Sequence, residues 1–225
     1  NNNWNVTETQ NFTVNNTAPI ITHIQQINNT AISATEAGFV RTQFYAIVFD
    51  AEGSGDLNIT AFGSSANFTR GGEITRTNSS CSLVAFINSS SANFSCTVDL
   101  AFFDAAGEWN VTFQIKDNFS SVAAPATAGA TANFTYAALT AIVAAPLSVS
   151  FPQSSLGANN VSSTNDPIVI NNTGNVNITA GNVRVQAFNL SGEQTPTEII
   201  PAANFSVGNQ SQGSQECDMA ASNAF

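Results

Sequence analysis

The stretch Trp109-Asn110-Val111-Thr112-Phe113-Gln114-Ile115-Lys116-Asp117 alternates large apolar side chains with polar ones. Successive side chains of a β-strand point to opposite faces, so this period of two places Trp109, Val111, Phe113 and Ile115 on one buried face. The stretch therefore predicts a strand with one face in the protein core and the other in solvent.

Similar patterns recur on both sides of this strand. No segment shows an apolar stripe of the helical period of about 3.6 residues, and Gly, Asn, Asp and Ser separate the apolar runs. We therefore expect an all-β fold, with an antiparallel β-sandwich over residues 18–140. Its other predicted strands are Ile20–Gln25, Phe39–Asp50, Leu57–Phe62, Glu73–Thr77, Cys81–Ile87, Phe94–Phe102 and Ala132–Ala138.

Two tandem sandwiches are expected. An Ala-rich stretch that ends at Pro146 marks a boundary, and residues 141–225 supply strands for a second, incomplete β-sandwich. Its predicted strands are Leu147–Phe151, Ile168–Asn171, Val176–Thr179, Val183–Phe188 and Ala203–Val207.

Residues 1–17 precede the first sandwich and are expected to form an extended N-terminal segment, since they contain no Gly or Pro. Trp4, Val6, Phe12 and Val14 are apolar but have no partner strand within the segment, and an unpaired apolar strand is usually covered. The segment is therefore predicted either to act as a donor strand on a neighbouring subunit or to pack on its own first sandwich.

Asparagine is unusually frequent, with 29 copies beside 47 serines and threonines. At random, about 6 asparagines would begin an Asn-x-Ser/Thr triplet, the acceptor of N-linked glycan. The chain has 18 such triplets, and in 12 of them the middle residue is apolar, so that a strand turns Asn and Ser/Thr outward together. The expected glycosylation sites are Asn5, Asn11, Asn15, Asn28, Asn58, Asn67, Asn78, Asn88, Asn93, Asn110, Asn118, Asn133, Asn160, Asn171, Asn177, Asn189, Asn204 and Asn209.

N-glycosylation implies an exported protein, because acceptor asparagines are modified on chains that cross a membrane. We expect an extracellular location at the cell surface and a signal peptide that has been removed, since the chain opens on Asn1 without an initiator Met. The longest weakly polar stretch, residues 136–149, is too short to span a bilayer, so no membrane span is expected in this chain.

Composition excludes several classes of function. The 225 residues include 15 acidic and 5 basic side chains, for a net charge of -10, whereas nucleic-acid binding needs clustered Lys and Arg. The chain holds one His, His23, one Lys, Lys116, and no serine-nucleophile motif. We therefore expect a protein that is not an enzyme and binds no organic cofactor.

Two cysteines are placed for a disulfide. Cys81 and Cys96 lie on inward positions of two predicted strands, and a hairpin whose paired residue numbers sum to 177 sets them opposite each other. Cross-strand neighbours about 4.5 to 5.5 Å apart are within disulfide reach, and the bond suits an exported protein. Cys217 is left over, and we expect its partner to lie outside these residues.

The turn Asp50-Ala51-Glu52-Gly53-Ser54-Gly55-Asp56 places three carboxylates around two glycines. Carboxylate oxygens on a flexible turn are ligands that Ca²⁺ accepts, and Asp104 or Asp117 would approach the same end of the sandwich. Asp50, Glu52 and Asp56 are therefore candidate calcium ligands. An ordinary Asp/Gly hairpin turn is the alternative, and the absence of EF-hand spacing favours it.

In Phe103–Asp117, a Gly and an aromatic residue lead through alternating Val and Thr to a closing Asp, and Phe49–Leu57 contains an Asp/Gly turn. These stretches resemble the immunoglobulin-like and PKD-like modules of archaeal surface proteins. Residues 168–188 are similar to the Asn-Thr-Gly-Asn turn of adhesion-type modules in archaeal envelope proteins. The resemblance implies an archaeal cell-surface glycoprotein built from β-sandwich modules.

Two functions follow from these expectations. The first is a structural, heavily N-glycosylated subunit that self-associates into an archaeal filament or an envelope layer of the S-layer kind. The alternative is an adhesin, or another module that binds carbohydrate or cells through exposed loops. A self-complementary contact would favour the polymer, and a glycan-free patch at one end of the sandwich would favour the adhesin.

Overall fold

The computed structural model describes residues 15–60, 62–125, 131–179, 181–208 and 219–220. The chain is all-β, as predicted. It divides into two compact units, the first formed by residues 1–33, 39–100 and 107–137 and the second by residues 34–38, 101–106 and 138–225.

Ten strands of the first unit form two five-stranded sheets, and the other strands form two-stranded sheets. In chain order the strands are β1 (Ile20–Gln25), β2 (Thr30–Ile32), β3 (Phe39–Phe49), β4 (Ser64–Thr69), β5 (Arg76–Asn78), β6 (Ser82–Asn88), β7 (Ser91–Ala101), β8 (Gly107–Ile115), β9 (Ala124–Pro125), β10 (Ala132–Tyr136), β11 (Ile142–Ala145), β12 (Val169–Asn172), β13 (Leu190–Ser191), β14 (Ile199–Ile200), β15 (Ser206–Val207) and β16 (Met219–Ala220). Sheet A has the strand order β6-β7-β3-β1-β9, and sheet B has the order β2-β10-β8-β4-β5.

The two sheets of the first unit pack face to face around aromatic side chains. The ring centroids of Phe44 in sheet A and Phe68 in sheet B are 6.0 Å apart, and those of Phe94 in sheet A and Phe113 in sheet B are 5.9 Å apart. Trp109 is fully buried beside them. Burying a large apolar side chain of this kind stabilises the fold by about 1.5–3 kcal/mol, so these rings make the first unit a β-sandwich with its own core.

Strand β8 confirms the alternation seen in the sequence. Trp109, Val111, Phe113 and Ile115 are all at most 2% exposed. β8 pairs antiparallel with β10 on one side and β4 on the other, which places it in the middle of sheet B.

The predicted strand Leu57–Phe62 is wrong. Oδ1 of Asn58 accepts hydrogen bonds from the backbone N–H and the hydroxyl of Thr60, and the N–H of Gly63 donates to the carbonyl of Thr60. Such local bonds from Asn and Thr compete with strand pairing. The strand begins later, at Ser64, and its small residues Ser64–Ala66 explain why its hydrophobic signal is weak.

The hairpin of β6 and β7 has the predicted register at its open end, where Leu83 lies opposite Phe94. Cys81 and Cys96 form the predicted disulfide, with their Cα atoms 4.6 Å apart. Nearer the turn the register shifts at two irregularities, one of them between Leu83 and Ala85. Closing a loop of this length stabilises the fold by about 3 kcal/mol in the chain-entropy model.

The second unit contains three antiparallel strand pairs, β11 with β12, β13 with β14 and β15 with β16. The predicted strands Leu147–Phe151, Val176–Thr179 and Val183–Phe188 are not formed, whereas Ile142–Ala145, in the expected boundary, is a strand. Among described residues 138–179 and 181–208, Gly174 is the only buried one. The apolar side chains of this part are therefore half-buried or exposed, and a second sandwich stays a prediction.

Replacing Phe68 with Ala should lower the free energy of unfolding by about 3–5 kcal/mol, because the side chain is fully buried between the sheets. Phe62→Ala is the matched control, since Phe62 is 82% exposed, and it should change stability by less than about 0.5 kcal/mol. Chemical denaturation measures both. Similar losses in the two variants would contradict the assignment of the core.

Candidate functional site

The acceptor asparagines lie at the surface of the protein. Of the 18 acceptors, 15 belong to the described residues, and none of these 15 is buried. Asn5, Asn11 and Asn209 lie outside the described residues. The exposed acceptors are Asn15, Asn28, Asn88, Asn110, Asn118, Asn160, Asn171, Asn177, Asn189 and Asn204, and the half-buried ones are Asn58, Asn67, Asn78, Asn93 and Asn133.

Triplets within strands turn their middle residue into the core. Phe68, Phe94, Val111 and Phe134 are each at most 1% exposed, although the acceptor Asn before each one reaches solvent. The strand period of two therefore separates glycan acceptor and core side chain onto opposite faces of the sheet.

The outer face of sheet B gathers acceptors on adjoining strands. Asn133 of β10 lies directly opposite Asn110 of β8, and Asn67 of β4 lies opposite Thr112 of β8. Nδ2 of Asn133 donates a 3.1 Å hydrogen bond to Oε1 of Glu108. Glycans on this face would stand side by side and cover the sheet.

The outer face of sheet A has the acceptor Asn93 on β7, but β1 and β3 contain no acceptor triplet. Ile20, Tyr45, Ile47 and Phe49 lie there, half-buried or exposed, and we call these four residues the apolar face. Ile20 pairs with Phe49, and His23, also exposed, pairs with Ile47. The unbroken apolar run of residues 44–49 is the sequence signal for this surface, since it leaves no polar side to the strand.

Strand β6 is the outermost strand of sheet A among the described residues, and it carries exposed apolar side chains. Val84, Phe86 and Ile87 are 52%, 49% and 53% exposed. The other outer strands of the two sheets are short, with three residues in β2 and β5 and two in β9, whereas β6 has seven. β6 is thus the long edge of the sandwich, and its unpaired amides are a template for another strand.

A shallow surface groove of about 790 Å³ lies between sheet A and the β5 region. Its lining includes Phe39, the acceptor Asn78, and Arg41, whose guanidinium Nε is 3.0 Å from Oδ1 of Asp99. The guanidinium holds the pKa of Asp99 below its usual value. An exposed aromatic ring beside polar groups is the chemistry that a sugar-binding surface would need.

Asp50 is a buried carboxylate at the start of the predicted calcium turn, with 1% exposure. Its Oδ1 accepts hydrogen bonds from the backbone N–H groups of Glu52, at 2.9 Å, and Gly53, at 3.2 Å. Gly53 has a φ of 123°, a conformation open to glycine and strained for other residues. Burial raises the pKa of Asp50, and the negative charges of Asp56 and Glu52 raise it further against the effect of those two N–H groups.

The remaining carboxylates of this prediction are placed differently. Glu52 is exposed, and its Oε2 accepts a 2.7 Å hydrogen bond from the hydroxyl of Thr17. Asp104 is buried, and its Oδ2 accepts from the backbone N–H of Ala101. Within the described residues, no three Asp, Glu, His or Cys side chains are grouped so as to hold a metal ion. The predicted calcium ligands Asp50, Glu52 and Asp56 are therefore not grouped as one metal site.

Asp117 is fully buried and well supplied with hydrogen-bond donors. Its Oδ1 accepts from the backbone N–H groups of Phe119 and Ser121, and its Oδ2 accepts a 2.6 Å bond from Nδ2 of Asn16. Burial alone would raise the pKa of Asp117, but these donors outweigh it and hold the pKa below its ordinary value. Asp117 thereby ties residues before β1 to the loop after β8.

Comparison of the sequence with protein-family models and with curated proteins gives no match. The described residues contain no helix that is long and apolar enough to cross a membrane.

Asp117→Asn should destabilise the protein by about 1–3 kcal/mol at pH 7, because a neutral amide is a weaker acceptor for the donors around it. The folded-state pKa of Asp117 lies below the unfolded value, so its ionic contribution is present at neutral pH and is lost as the pH falls through the folded pKa. The difference between wild type and variant should therefore shrink towards pH 2.

Denaturant titrations at several pH values measure this effect, with Glu73→Gln as a control on an exposed carboxylate of the same unit. A loss in Asp117→Asn that is as large at pH 2 as at pH 7 would show that the carboxylate charge plays no part.

Proposed function

We propose that this chain is a structural, N-glycosylated cell-surface protein and a subunit of an archaeal filament or envelope layer. The observation that carries the proposal is the surface position of all 15 described acceptor asparagines, several of them beside a fully buried residue. The surface position leaves these acceptors accessible, and the excess of triplets, 18 against about 6 expected at random, is what separates glycosylation from chance. The proposal is of a non-catalytic protein in an extracellular compartment.

The proposed mode of assembly is self-association. Sheet B presents acceptors on its outer face, whereas sheet A presents the apolar face and the long β6 edge. Large exposed apolar surfaces mark interaction sites, and the second unit has exposed apolar side chains of its own. A second copy of the chain is the proposed partner, because a head-to-tail contact that does not close into a ring repeats along a filament and covers the same surface on each subunit within it.

The proposed donor strand in this assembly is the N-terminal segment, residues 1–17. Residues 1–14 of this segment lie outside the described residues. Its last part is held by the first unit, since Asn16 donates to Asp117 and Thr17 donates to Glu52. We propose that the apolar part before residue 15 adds as a strand along β6 of a neighbouring subunit. Strand addition of this kind uses backbone hydrogen bonds for affinity and side-chain pockets for specificity.

Peptide mass spectrometry of the native protein tests the glycan part of the proposal. We expect glycan on Asn67, Asn93, Asn110 and Asn133, whose triplets lie in strands with an outward-facing acceptor. Asn16, Asn165 and Asn182 are internal controls, because they are asparagines without the acceptor triplet and should be unmodified. Finding all four acceptors unmodified would remove the basis for an exported protein.

Deleting residues 1–14 tests the assembly. The cut keeps Asn16 and Thr17, so the contacts with Asp117 and Glu52 remain and the first unit should still melt cooperatively. We expect the full chain to form polymers and the truncated chain to stay monomeric, as measured by light scattering and electron microscopy. Phe86→Thr on β6 should also reduce assembly, whereas Ile74→Thr, at an exposed apolar residue outside the strands, should not.

The outcomes separate the two candidate functions. Assembly of the truncated chain to the extent of the full chain would reject the donor strand, and a full chain that never associates would reject the polymer. A monomer that binds polysaccharide, with loss of binding in Phe39→Ala, would favour the alternative of a carbohydrate-binding module that uses the groove.

A further inference from the structure

The end of the first sandwich where β1 begins and β3 ends contains buried oxygens that lack donors. Oδ2 of Asp50 and Oδ2 of Asp56 are both buried and accept no hydrogen bond from any residue that the structure describes. The Asp50 side chain is 1% exposed, so bulk water does not solvate it freely. A buried, unpaired carboxylate oxygen costs several kcal/mol in effective terms unless a cation or a donor satisfies it.

The two carboxylates belong to one short turn and sense each other's charge. Asp50 ends the sheet, the backbone makes a 3-10 turn at Ser54–Asp56, and the N–H of Asp56 donates to the carbonyl of Gly53. The negative charge of Asp56 acts on Asp50. Folding thus holds two like charges together, which destabilises the turn unless a positive charge lies between or beside them.

Among the described residues, no basic side chain forms a salt bridge with either carboxylate. A third unpartnered oxygen, Oδ1 of Asn16, belongs to the same end of the sandwich. Asn16 donates a hydrogen bond to Asp117. Asn118, which follows Asp117 in the chain, donates its backbone N–H to the carbonyl of Asp56 at 2.8 Å. Amide and carboxylate oxygens are both ligand types that Ca²⁺ uses.

We propose that the unpartnered oxygens of Asp50 and Asp56 bind a hard divalent cation of the Ca²⁺ class, with Asn16 as a neutral oxygen ligand. Ca²⁺ takes six to eight oxygens in flexible geometry, so water and backbone carbonyls complete the shell. Glu52 is not a member of this set, because its carboxylate is exposed and bonded to Thr17. The cation would fix residues 15–17, from which the proposed donor segment leaves the sandwich, but the site itself does not depend on polymer formation.

Thermal denaturation of the full chain with and without Ca²⁺ tests the site. At a Ca²⁺ concentration of about one hundred times the dissociation constant, wild type should melt at least about 5 °C higher than in chelator. NaCl of equal ionic strength should give no such shift. Isothermal titration with CaCl₂ should show saturable heat with about one ion per chain.

Two variants and a control locate the ion. Asp56→Asn and Asp50→Asn should each lose the Ca²⁺-dependent shift and heat, and both should melt in chelator no lower than wild type, because they remove one of two repelling charges. Asp50→Asn keeps an Oδ1 acceptor for Glu52 and Gly53. Glu73→Gln, an exposed carboxylate elsewhere in the unit, should respond to Ca²⁺ like wild type.

Three results would overturn the proposal: a wild-type chain that shows neither shift nor heat with Ca²⁺, an equal shift with NaCl, or a full Ca²⁺ response that survives in both Asp50→Asn and Asp56→Asn.

Discussion

The period of two along a β-strand is the constraint on which both the core and the surface of this protein depend. An Asn-x-Ser/Thr triplet has the same period, so one strand can direct Asn and Thr to solvent and an apolar middle residue to the core. Phe68, Phe94, Val111 and Phe134 fill these middle positions and are almost completely buried. The residues that build the sandwich and the residues that would carry glycan are therefore interleaved in the same short segments, and a register slip of one residue would bury the acceptors and expose the core.

Asp50 and Asp117 are both buried, but their pKa values are shifted in opposite directions. Asp117 receives N–H donors from Asn16, Phe119 and Ser121, and these hold its pKa down in spite of burial. Asp50 receives two backbone donors on one oxygen and none from the described residues on the other, while Asp56 repels it. Hydrogen-bond donors therefore decide the direction of the pKa shift at Asp117, whereas burial decides it at Asp50.

Alternation in the sequence predicted the strands whose signal is strong and failed where local bonding or weak hydrophobicity intervened. β1 and β8 follow from their apolar positions, and the disulfide follows from the hairpin register. β4 was missed because Ser64–Ala66 offers little apolar contrast, and the segment before it forms local hydrogen bonds between Asn58 and Thr60 in place of a full strand. The turn at Asp50 was recognised as acidic, but the hydrogen bond of Glu52 with Thr17 joins residues distant in sequence and could not be predicted.

The long edge strand β6 of sheet A is the surface on which the proposed self-association depends. Proteins usually protect an exposed edge with charge, with proline or by keeping it short, and three outer strands of this sandwich are short. β6 is long, and its seven residues, Ser82–Asn88, include no charged side chain. Its one acceptor, Asn88, lies at the hairpin turn, so a glycan there would leave most of the strand open. A strand edge without charge or proline is the kind of edge that the proposed strand addition requires.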